Sequence, residues 1–596
     1  MAKTSFERTQ DIYEGNGVYP PASQIPIMEL TTDHVCKSLN IKKTRFSQSV
    51  LATLGLLSGF NRFYKKELPK RLDTLLKTQN LRGAGLQAPA ISASLAFLDD
   101  PRITDPLDRA VTLMLSTKEL YDDLQYGRFE PDRFRDTPLE MGQYPNLFGT
   151  TLTVENKRAR LFKTSRTDQM AVLIKGLIYI VKIDAWDAPD IYALLKGTLA
   201  SIVENSRQHS DVTEIGLATS ASHGVQVFGF TRSQADARNR QNLETLRHNF
   251  LVVCLDFDVA PEHDNDLLVH MHARNLENRW SWQSLQIVVF KNAKAGVVCN
   301  FSAYLDGNTM MRGASELQRR ASRTQINSTA NNEKPFSYEL LQWNINPKFL
   351  QRARTNVERF LDRQPSTYEI PLDRNRFKRL KLDPVATFVT TLSMVAERHT
   401  STPAALHQFL TMTKYRYMDL TTAVVSTPEV RAFAHYSKQE KPDAHTALEL
   451  LQRAIQSQKD ICRWNRHALP FEIAHALFIA SRSPAQRIWV HPFTLLARLI
   501  LIAGRYQRGG RRDIVISHPA IYPEVPLVGR PGVRLPYVTY FALHYQIMET
   551  KIIITMMPGL QWSIPNEELI REVQDTLYAI LDMAETATTQ DNEQNK

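Results

Sequence analysis

The sequence predicts an α/β protein, because short apolar strand-like runs and amphipathic helical stretches follow one another along the chain. The runs 248–259 (HNFLVVCLDFDV) and 284–290 (SLQIVVF) have the β-branched composition of buried strands. The segment 536–559 has two apolar arms around Met-Glu-Thr-Lys, which predicts a hairpin. In 566–587 the apolar residues fall on one helical face, which predicts an amphipathic helix. With 596 residues, the chain is long enough for more than one domain.

The other elements follow from the same patterns. Residues 295–302 (AGVVCNFS) come directly after the turn residues 292–294 and predict a strand next to 284–290. Helical periodicity recurs in 446–459 (TALELLQRAIQSQK). The polar tract that closes 314–335 and the basic, glycine-containing stretch 504–513 predict two loops.

Composition restricts the partners. A net charge of +11 favours nucleic acid, an anionic membrane or a phosphorylated small molecule, but no nucleic-acid motif is found, so we predict no nucleic-acid partner. The four cysteines (Cys36, Cys254, Cys299 and Cys462) are too scattered for a disulfide framework or a metal cluster, which predicts a reducing compartment and no metal. No run of about 18 apolar residues predicts a membrane span. We therefore expect a cytoplasmic protein.

Several stretches, in this order, resemble the choline/carnitine O-acyltransferases over roughly residues 140–560. They are 140–152 (EMGQYPNLFGTTL), 170–183, 214–220 (EIGLATS), 250–258, 278–298, 377–384 (FKRLKLDP), 426–433, 465–468 and 514–519 (IVISHP). The resemblance implies two chloramphenicol-acetyltransferase-like domains with a tunnel between them for coenzyme A and the alcohol, in a monomer. It implies these limits: an N-terminal segment 1–85 that packs with the C-terminal domain, an N domain 86–345, a C domain 346–590 and a disordered tail 591–596.

The resemblance places the catalytic motif at the end of the predicted strand 295–302. In the family this motif is Glu-His-Ser followed by Asp-Gly, and its histidine is the general base. Here Phe301 or Ser302 stands at the histidine position, and Asn300 or Phe301 at that of the glutamate. A phenyl ring accepts no proton, and an isolated serine is a poor base near neutral pH. Loss of such a base costs about 10² to 10⁴ in rate.

A second catalytic segment of the family, Ser-Thr-Ser-Gln, resembles the stretch that ends Ser517-His518. The resemblance implies that Ser517 keeps the donor that stabilises an oxyanion and that His518 replaces the glutamine. Two interpretations of His518 stay open: a catalytic side chain, or a histidine at a strand end that the backbone satisfies. His270 and His272 stand two apart and are predicted as exposed loop histidines rather than a metal pair, since no third ligand is evident.

The resemblance also covers the coenzyme A phosphate site, which in the family has two basic residues four apart followed by Ser-Pro-Asp. Arg374 and Lys378 keep this spacing and Lys381 adds a third cation, while Asp383 replaces the serine. Two cations on one helical face can clamp a phosphate, but they can equally form a solvated basic face. The carboxylate of Asp383 opposes an anionic ligand, so no cofactor is predicted with certainty and coenzyme A stays open.

On the carnitine side, Thr421 stands where the resemblance places the carboxylate-binding threonine, but Asp419 would repel a carboxylate. Carnitine is therefore not the expected acceptor. The remaining predicted binding residues are Phe301, Asn300, Tyr304 and Asp306, and the predicted catalytic residues are Ser302, Ser517 and His518.

The departures at the base, the phosphate site and the acceptor site predict a family scaffold with a repurposed active site. The expected function is an enzyme of secondary metabolism that cyclises or rearranges a hydrophobic acyl or polyketide-like small molecule. One alternative is residual acyl transfer from a thioester to an alcohol with a surrogate base. Another is a pseudoenzyme that binds a ligand without catalysis.

Overall fold

The structure is a computed structural model. It describes residues 19, 22–29, 31, 59–81, 93–155, 158–209, 214–221, 223–301, 305–326, 335–361, 365–400, 404–483, 485–486, 488, 512–518, 531–533, 538–559 and 561–594.

The described strands are β1 (Ala93–Ala96), β2 (Arg133–Phe134), β3 (Thr137–Pro138), β4 (Thr150–Glu155), β5 (Arg158–Lys163), β6 (Gln169–Ile174), β7 (Leu177–Lys182), β8 (Leu251–Asp256), β9 (Leu285–Phe290), β10 (Ala295–Cys299), β11 (Tyr338–Leu340), β12 (Ser366–Pro371), β13 (Leu406–Thr411), β14 (Leu420–Val424), β15 (Arg512–Ser517), β16 (Pro531–Val533), β17 (Val538–Ile547) and β18 (Lys551–Pro558).

The described helices are α1 (Phe60–Arg62), α2 (Leu68–Leu81), α3 (Pro106–Gln125), α4 (Ile191–Ser206), α5 (Ile215–Thr219), α6 (His223–Ser233), α7 (Ala237–Arg247), α8 (Asp264–His272), α9 (Gly307–Ala321), α10 (Pro347–Leu361), α11 (Arg374–Arg379), α12 (Pro384–His399), α13 (Pro428–Tyr436), α14 (Ala444–His467), α15 (Phe471–Ser481) and α16 (Asn566–Gln594). The turn Phe63–Glu67 joins α1 to α2 as a π-helix.

The chain divides into two compact units. The first contains the described parts of Met1–Ala22, Asn80–Pro365 and Glu524–Pro536, and the second contains those of Ser23–Gln79, Ser366–Pro523 and Tyr537–Lys596. Because each unit combines a sheet with helices, the predicted α/β class is confirmed. The domain limits given above stay a prediction, and α16 extends into the range predicted as a disordered tail.

The first unit is built on an eight-stranded sheet with the order β11-β7-β6-β8-β9-β10-β1-β16. Its centre is parallel, from β6 through β8 to β9, and the other pairs are antiparallel. Both faces are apolar: Val253 and Ile287 pack in one core, and Val252 and Val288 pack in the other. This is the pattern expected for strands covered on both sides.

The second unit is built on a six-stranded sheet with the order β12-β18-β17-β15-β13-β14. Strand β15 runs parallel to both of its neighbours, β13 and β17. One face packs against helices through residues such as Ile516, Leu543 and Tyr545. Side chains alternate along a strand, so the residues between these face the opposite side.

Most element predictions are confirmed. Strands β8, β9 and β10 lie within the predicted runs, β17 and β18 form the predicted hairpin, and α14 and α16 contain the predicted helices. The loop predicted at 314–335 is wrong, because α9 extends to Ala321; the side chain of Asp306 caps it by accepting from the N–H of Thr309. The other predicted loop, 504–513, lies outside the described residues except for its last two positions, which belong to β15.

Among the helices that the structure describes, none combines the length and the apolar character that crossing a bilayer requires.

Candidate functional site

The turn after β10 carries the position at which the family resemblance expects a base. Asn300 is buried; its N–H donates to the carbonyl oxygen of Ser284 and its Nδ2 donates to that of Ser281, both at 2.9 Å. Phe301 is half-buried and packs against the core of the first unit. Asn300 is thus held by backbone, and Phe301 contributes an apolar ring.

Asp306 directly precedes helix α9 and is also buried. Its Oδ1 accepts from the N–H of Thr309 at 2.9 Å, and its own N–H donates to Oε1 of Gln143 at 2.7 Å. These contacts begin helix α9, so they give Asp306 a structural task beside the predicted substrate contact. Ser302 and Tyr304, predicted as catalytic and substrate-binding residues, lie outside the described residues.

A row of polar side chains crosses the sheet of the second unit at the end of β15. Ser517 of β15 is the register partner of His544 in β17, and His544 is the partner of Thr555 in β18. Thr555 in turn pairs with Thr367 of β12, and their hydroxyl oxygens are 3.2 Å apart. Register partners carry their side chains on the same face. The predicted Ser517 therefore lies next to an imidazole.

His544 and Gln546 are the buried members of this polar face on β17. Nε2 of His544 and both amide atoms of Gln546 make no hydrogen bond to any residue within the described ranges. Burial first, and then the nearby His518, lowers the pKa of His544 to about 3. Buried polar atoms are nearly always bonded in native proteins, so this face is a candidate for contact with a polar ligand.

His518 directly follows β15, and its ring centroid is 5.1 Å from that of Tyr545. Burial is the main cause that lowers the pKa of His518 to about 4. The positive charges of Arg374 and Arg466 act in the same direction, and the carboxylate of Asp383 opposes them. At neutral pH both His518 and the imidazole of β17 are uncharged, and a neutral imidazole has one donor and one acceptor nitrogen.

The three predicted phosphate-binding cations lie on or just after α11. Arg374, Lys378 and Lys381 are exposed, and within the described part of the chain none of them pairs with a carboxylate. Their neighbour Arg376, by contrast, bonds two carboxylates of α16. Asp383 caps α12, since its Oδ1 accepts from a backbone N–H at 2.9 Å. The carboxylate that opposes an anion is therefore partly engaged, and three cations are available.

Thr421 does not share a face with Ser517. It is the register partner of Leu410, which packs in the helix-covered core, whereas Ser517 lies on the opposite face of the sheet. Burial raises the pKa of Asp419, whose Oδ1 accepts from the N–H of Leu420 at 2.7 Å. The helix-covered face thus carries Thr421 and, through its contact with Tyr545, the ring of His518, whereas Ser517 lies on the opposite face beside His544.

The prediction for His270 and His272 as exposed loop residues is wrong. Both belong to helix α8, where His272 is fully buried and its Nδ1 is 3.4 Å from Oγ of Ser94. His270 is partly buried, and its ring packs edge-on against Phe290. No cluster of three His, Cys, Asp or Glu residues suited to a metal ion occurs among the residues that the structure describes.

The sequence matches the family model "Choline/Carnitine o-acyltransferase" over residues 82–472. The chain belongs to the choline/carnitine O-acyltransferase family. This match covers more than half of the chain and confirms the family that the motifs indicate.

Curated relatives in this acyltransferase family are distant. Carnitine O-palmitoyltransferase 2, mitochondrial, from Mus musculus is 28% identical over 269 residues, which cover 39% of this chain and 40% of that protein. The protein of the same name from Rattus norvegicus is 27% identical, with 48% of each chain covered. Choline O-acetyltransferase from Danio rerio is 23% identical over 74% of each chain. The chain thus spans less than half the length of the two carnitine relatives.

Two solved structures share features with this acyltransferase-family chain at low similarity. The first condensation domain of the calcium-dependent antibiotic synthetase is 9% identical with a TM-score of 0.38, over 86% of this chain and 94% of that one. A trichothecene 15-O-acetyltransferase from Fusarium sporotrichioides is 10% identical with a TM-score of 0.37, over 85% and 92%. TM-scores this low do not bear on the function of this chain.

The acyltransferase family implies coenzyme A as a ligand, and the donor set of α11 fits its anionic groups. Arg374 and Lys378 lie one helical turn apart, so both can reach one phosphate, and Lys381 lies just beyond. When bound, coenzyme A would supply an activated acyl thioester. This chain's own contribution would be to bind and orient phosphate oxygens through the three cations.

His544 and Gln546 are functional candidates that the sequence reasoning missed. Both lie in the predicted hairpin, where polar residues alternate with the apolar Leu543 and Tyr545. That alternation shows that one face of the hairpin carries polar residues. Its position beside Ser517 depends on the parallel pairing of β15 with β17, which no local pattern specifies.

Proposed function

We propose that this chain is an enzyme that cyclises or rearranges a hydrophobic acyl or polyketide-like small molecule, as in secondary metabolism, instead of transferring an acyl group to carnitine. The observation that carries the proposal is the low pKa of two imidazoles near the end of β15: about 3 for His544, the register partner of Ser517, and about 4 for His518, which follows Ser517 in the chain. A general base works best when its pKa lies near the working pH. Neither imidazole meets this condition.

The turn after β10 supports the same conclusion from the first unit. Asn300 is bonded to two backbone carbonyl oxygens, and Phe301 presents a ring without a proton acceptor. Catalysis through general bases contributes about 10² to 10⁴ in rate. A reaction that depends on shape, hydrogen bonds and exclusion of water has less need of such a base.

The polar face of the second unit offers the groups for such a reaction. The hydroxyl of Ser517 can donate to an oxygen that gains negative charge, and the neutral imidazole of His544 can donate or accept beside it. Gln546 adds an amide donor and acceptor on the same face. These groups orient a polar end of the substrate. A rearrangement, or a cyclisation by addition with no leaving group, keeps all substrate atoms in the product.

That conservation of atoms provides the test. In cells of the source organism without this gene, we expect a compound to accumulate with the same mass as a metabolite that disappears. Complementation with the natural chain should restore the metabolite. Complementation with Ser517→Ala should restore at most about a tenth of that amount. A mass difference equal to an acyl group would instead indicate acyl transfer, and unchanged function in Ser517→Ala, His518→Ala and His544→Gln would indicate a non-catalytic binder.

Residual acyl transfer is the second candidate, because Arg374 of α11, which pairs with no carboxylate among the described residues, lies near His518 within one unit. If the cations of α11 hold coenzyme A, the ligand at 100 times its Kd stabilises the fold by about 2.7 kcal/mol. We expect a rise in Tm with millimolar coenzyme A, and Arg374→Ala should abolish it. Arg379→Ala is the matched control, because this guanidinium already pairs with Asp373. An equal rise in both variants would contradict the assignment.

We further propose that the chain works as a monomer in the cytoplasm. Cys254, Cys299 and Cys462 are free and buried in the structure, which suits a reducing compartment. Cell fractionation with light scattering on the purified chain tests this; a dimer mass or a membrane-bound fraction would contradict it.

A further inference from the structure

A cavity of about 540 Å³ lies between α6 and α10 of the first unit. Its apolar wall includes Val225, Phe228 and Phe349. Gly229 allows this arrangement, since a Cβ there would lie 1.9 Å from the Phe349 ring. Phe228 is 47% exposed, so a large aromatic ring faces the cavity without being covered. The volume is in the range of small-molecule sites, about 300–1,000 Å³.

Three cations surround this wall: Arg232, Lys348 and Arg352. The guanidinium carbon of Arg232 is 4.2 Å from the centroid of the Phe228 ring, and that of Arg352 is 5.9 Å from it. Within the described residues none of the three is paired with a carboxylate, although Arg354 on the same helix is. The aromatic ring thus holds two guanidinium groups beside the cavity without neutralising them.

The carboxylate on the rim is already engaged. Asp236 caps α7 by accepting from the N–H of Asn239 at 3.0 Å, and it accepts from Nδ2 of Asn344 at 2.8 Å. These bonds lower the pKa of Asp236, so it stays charged. One carboxylate against three cations leaves the cavity with a positive balance.

We propose that this cavity binds an amphiphilic oxyanion, a carboxylate or phosphate head on an apolar body. The apolar body lies against Phe228, Val225 and Phe349. The head is bound by the guanidinium groups of Arg232 and Arg352, whose planar forks match two oxygens of either group.

Calorimetry on the full chain tests the proposal with dodecanoate and dodecyl phosphate, both below the concentrations at which they form micelles. At least one should bind with a micromolar Kd, and the comparison of the two identifies the head group. Inorganic phosphate should bind at least about tenfold more weakly, because it lacks the apolar body. Dodecyltrimethylammonium, with the same chain and the opposite charge, should not bind.

The double variant Arg232→Gln/Arg352→Gln should weaken binding about tenfold or more, and Phe228→Ala should weaken it as well. Arg207→Gln is the matched control, because this exposed arginine lies outside the cavity and pairs with Glu204. These residues are on the surface, so unchanged thermal melting should verify that each variant folds. Ser517→Ala should bind normally, which separates this site from the proposed reaction centre.

Three results would overturn the proposal: no binding by either anion below about 1 mM, equal binding by the cationic amphiphile, or unchanged affinity in the double variant.

Discussion

Replacement of His544 by glutamine should change how the stability of the chain depends on pH. The pKa of His544 is about 3 in the folded chain, against about 6.5 for an unperturbed histidine. Below pH 6.5 the unfolded chain therefore binds a proton that the folded chain does not. The free energy of unfolding therefore carries no cost from His544 above pH 6.5, and it decreases as the pH falls from 6.5 towards 3.

The magnitude follows from the width of that window. Each pH unit below 6.5 costs about 1.4 kcal/mol per histidine. At pH 5 the loss is about 2 kcal/mol for His544, and His518, with a pKa of about 4, adds a similar amount. The aspartates and glutamates also titrate in this pH range, but they are the same in the natural chain and in His544→Gln. The difference in pH dependence between the two proteins therefore isolates the contribution of His544.

Urea unfolding at pH 7.5, 6 and 5, followed by fluorescence and circular dichroism, measures this difference. We expect His544→Gln to lose about 2 kcal/mol less than the natural chain between pH 7.5 and 5. Gln546→Leu is the matched control, because it alters the same face without removing a titratable group. A pH dependence of His544→Gln equal to that of the natural chain would refute the assignment of His544 as a buried neutral imidazole.

Two predictions concern packing in the first unit. Gly216→Ala should destabilise the fold by about 1–3 kcal/mol or more, since the new Cβ would meet two backbone carbonyl oxygens at 2.3 and 2.5 Å. Gly197→Ala, whose Cβ would have no atom within 4 Å, should stabilise the fold by about 0.5–1 kcal/mol. Chemical unfolding measures both changes. Equal effects of the two would contradict this packing. Arg279→Met should cost about 3–5 kcal/mol, because it leaves the carboxylate of Asp256 buried without its fully buried partner, and adding Asp256→Leu should recover much of the loss. A single variant as stable as the natural chain in thermal melting would show that this ion pair is not buried.

The sequence predicts those strands and helices that can be recognised from the spacing of apolar residues within the element itself. Strands β9, β10 and β18 are largely apolar runs whose burial follows from composition, and β17 alternates apolar with polar residues. Helix α9 was missed because its polar and arginine-rich end resembles a loop. Its apolar residues Met310, Ala314, Leu317 and Ala321 nevertheless recur at helical spacing and are buried.

The candidate site could be predicted only in part. Ser517 and His518 are found from a family motif, but their surroundings come from strands far apart in the chain. The pairing of Ser517 with His544 and the charge of Arg374 near His518 depend on tertiary structure. Low pKa values likewise arise from burial, which the order of residues does not reveal.

The release of thiol from acyl-coenzyme A at pH 7.5, with carnitine, choline or other alcohols as acceptors, tests the central claim most directly. The claim is that neither His518 nor His544 acts as a base at neutral pH. We expect release at the rate measured without protein. Steady turnover that His544→Gln or His518→Gln abolishes would contradict the account.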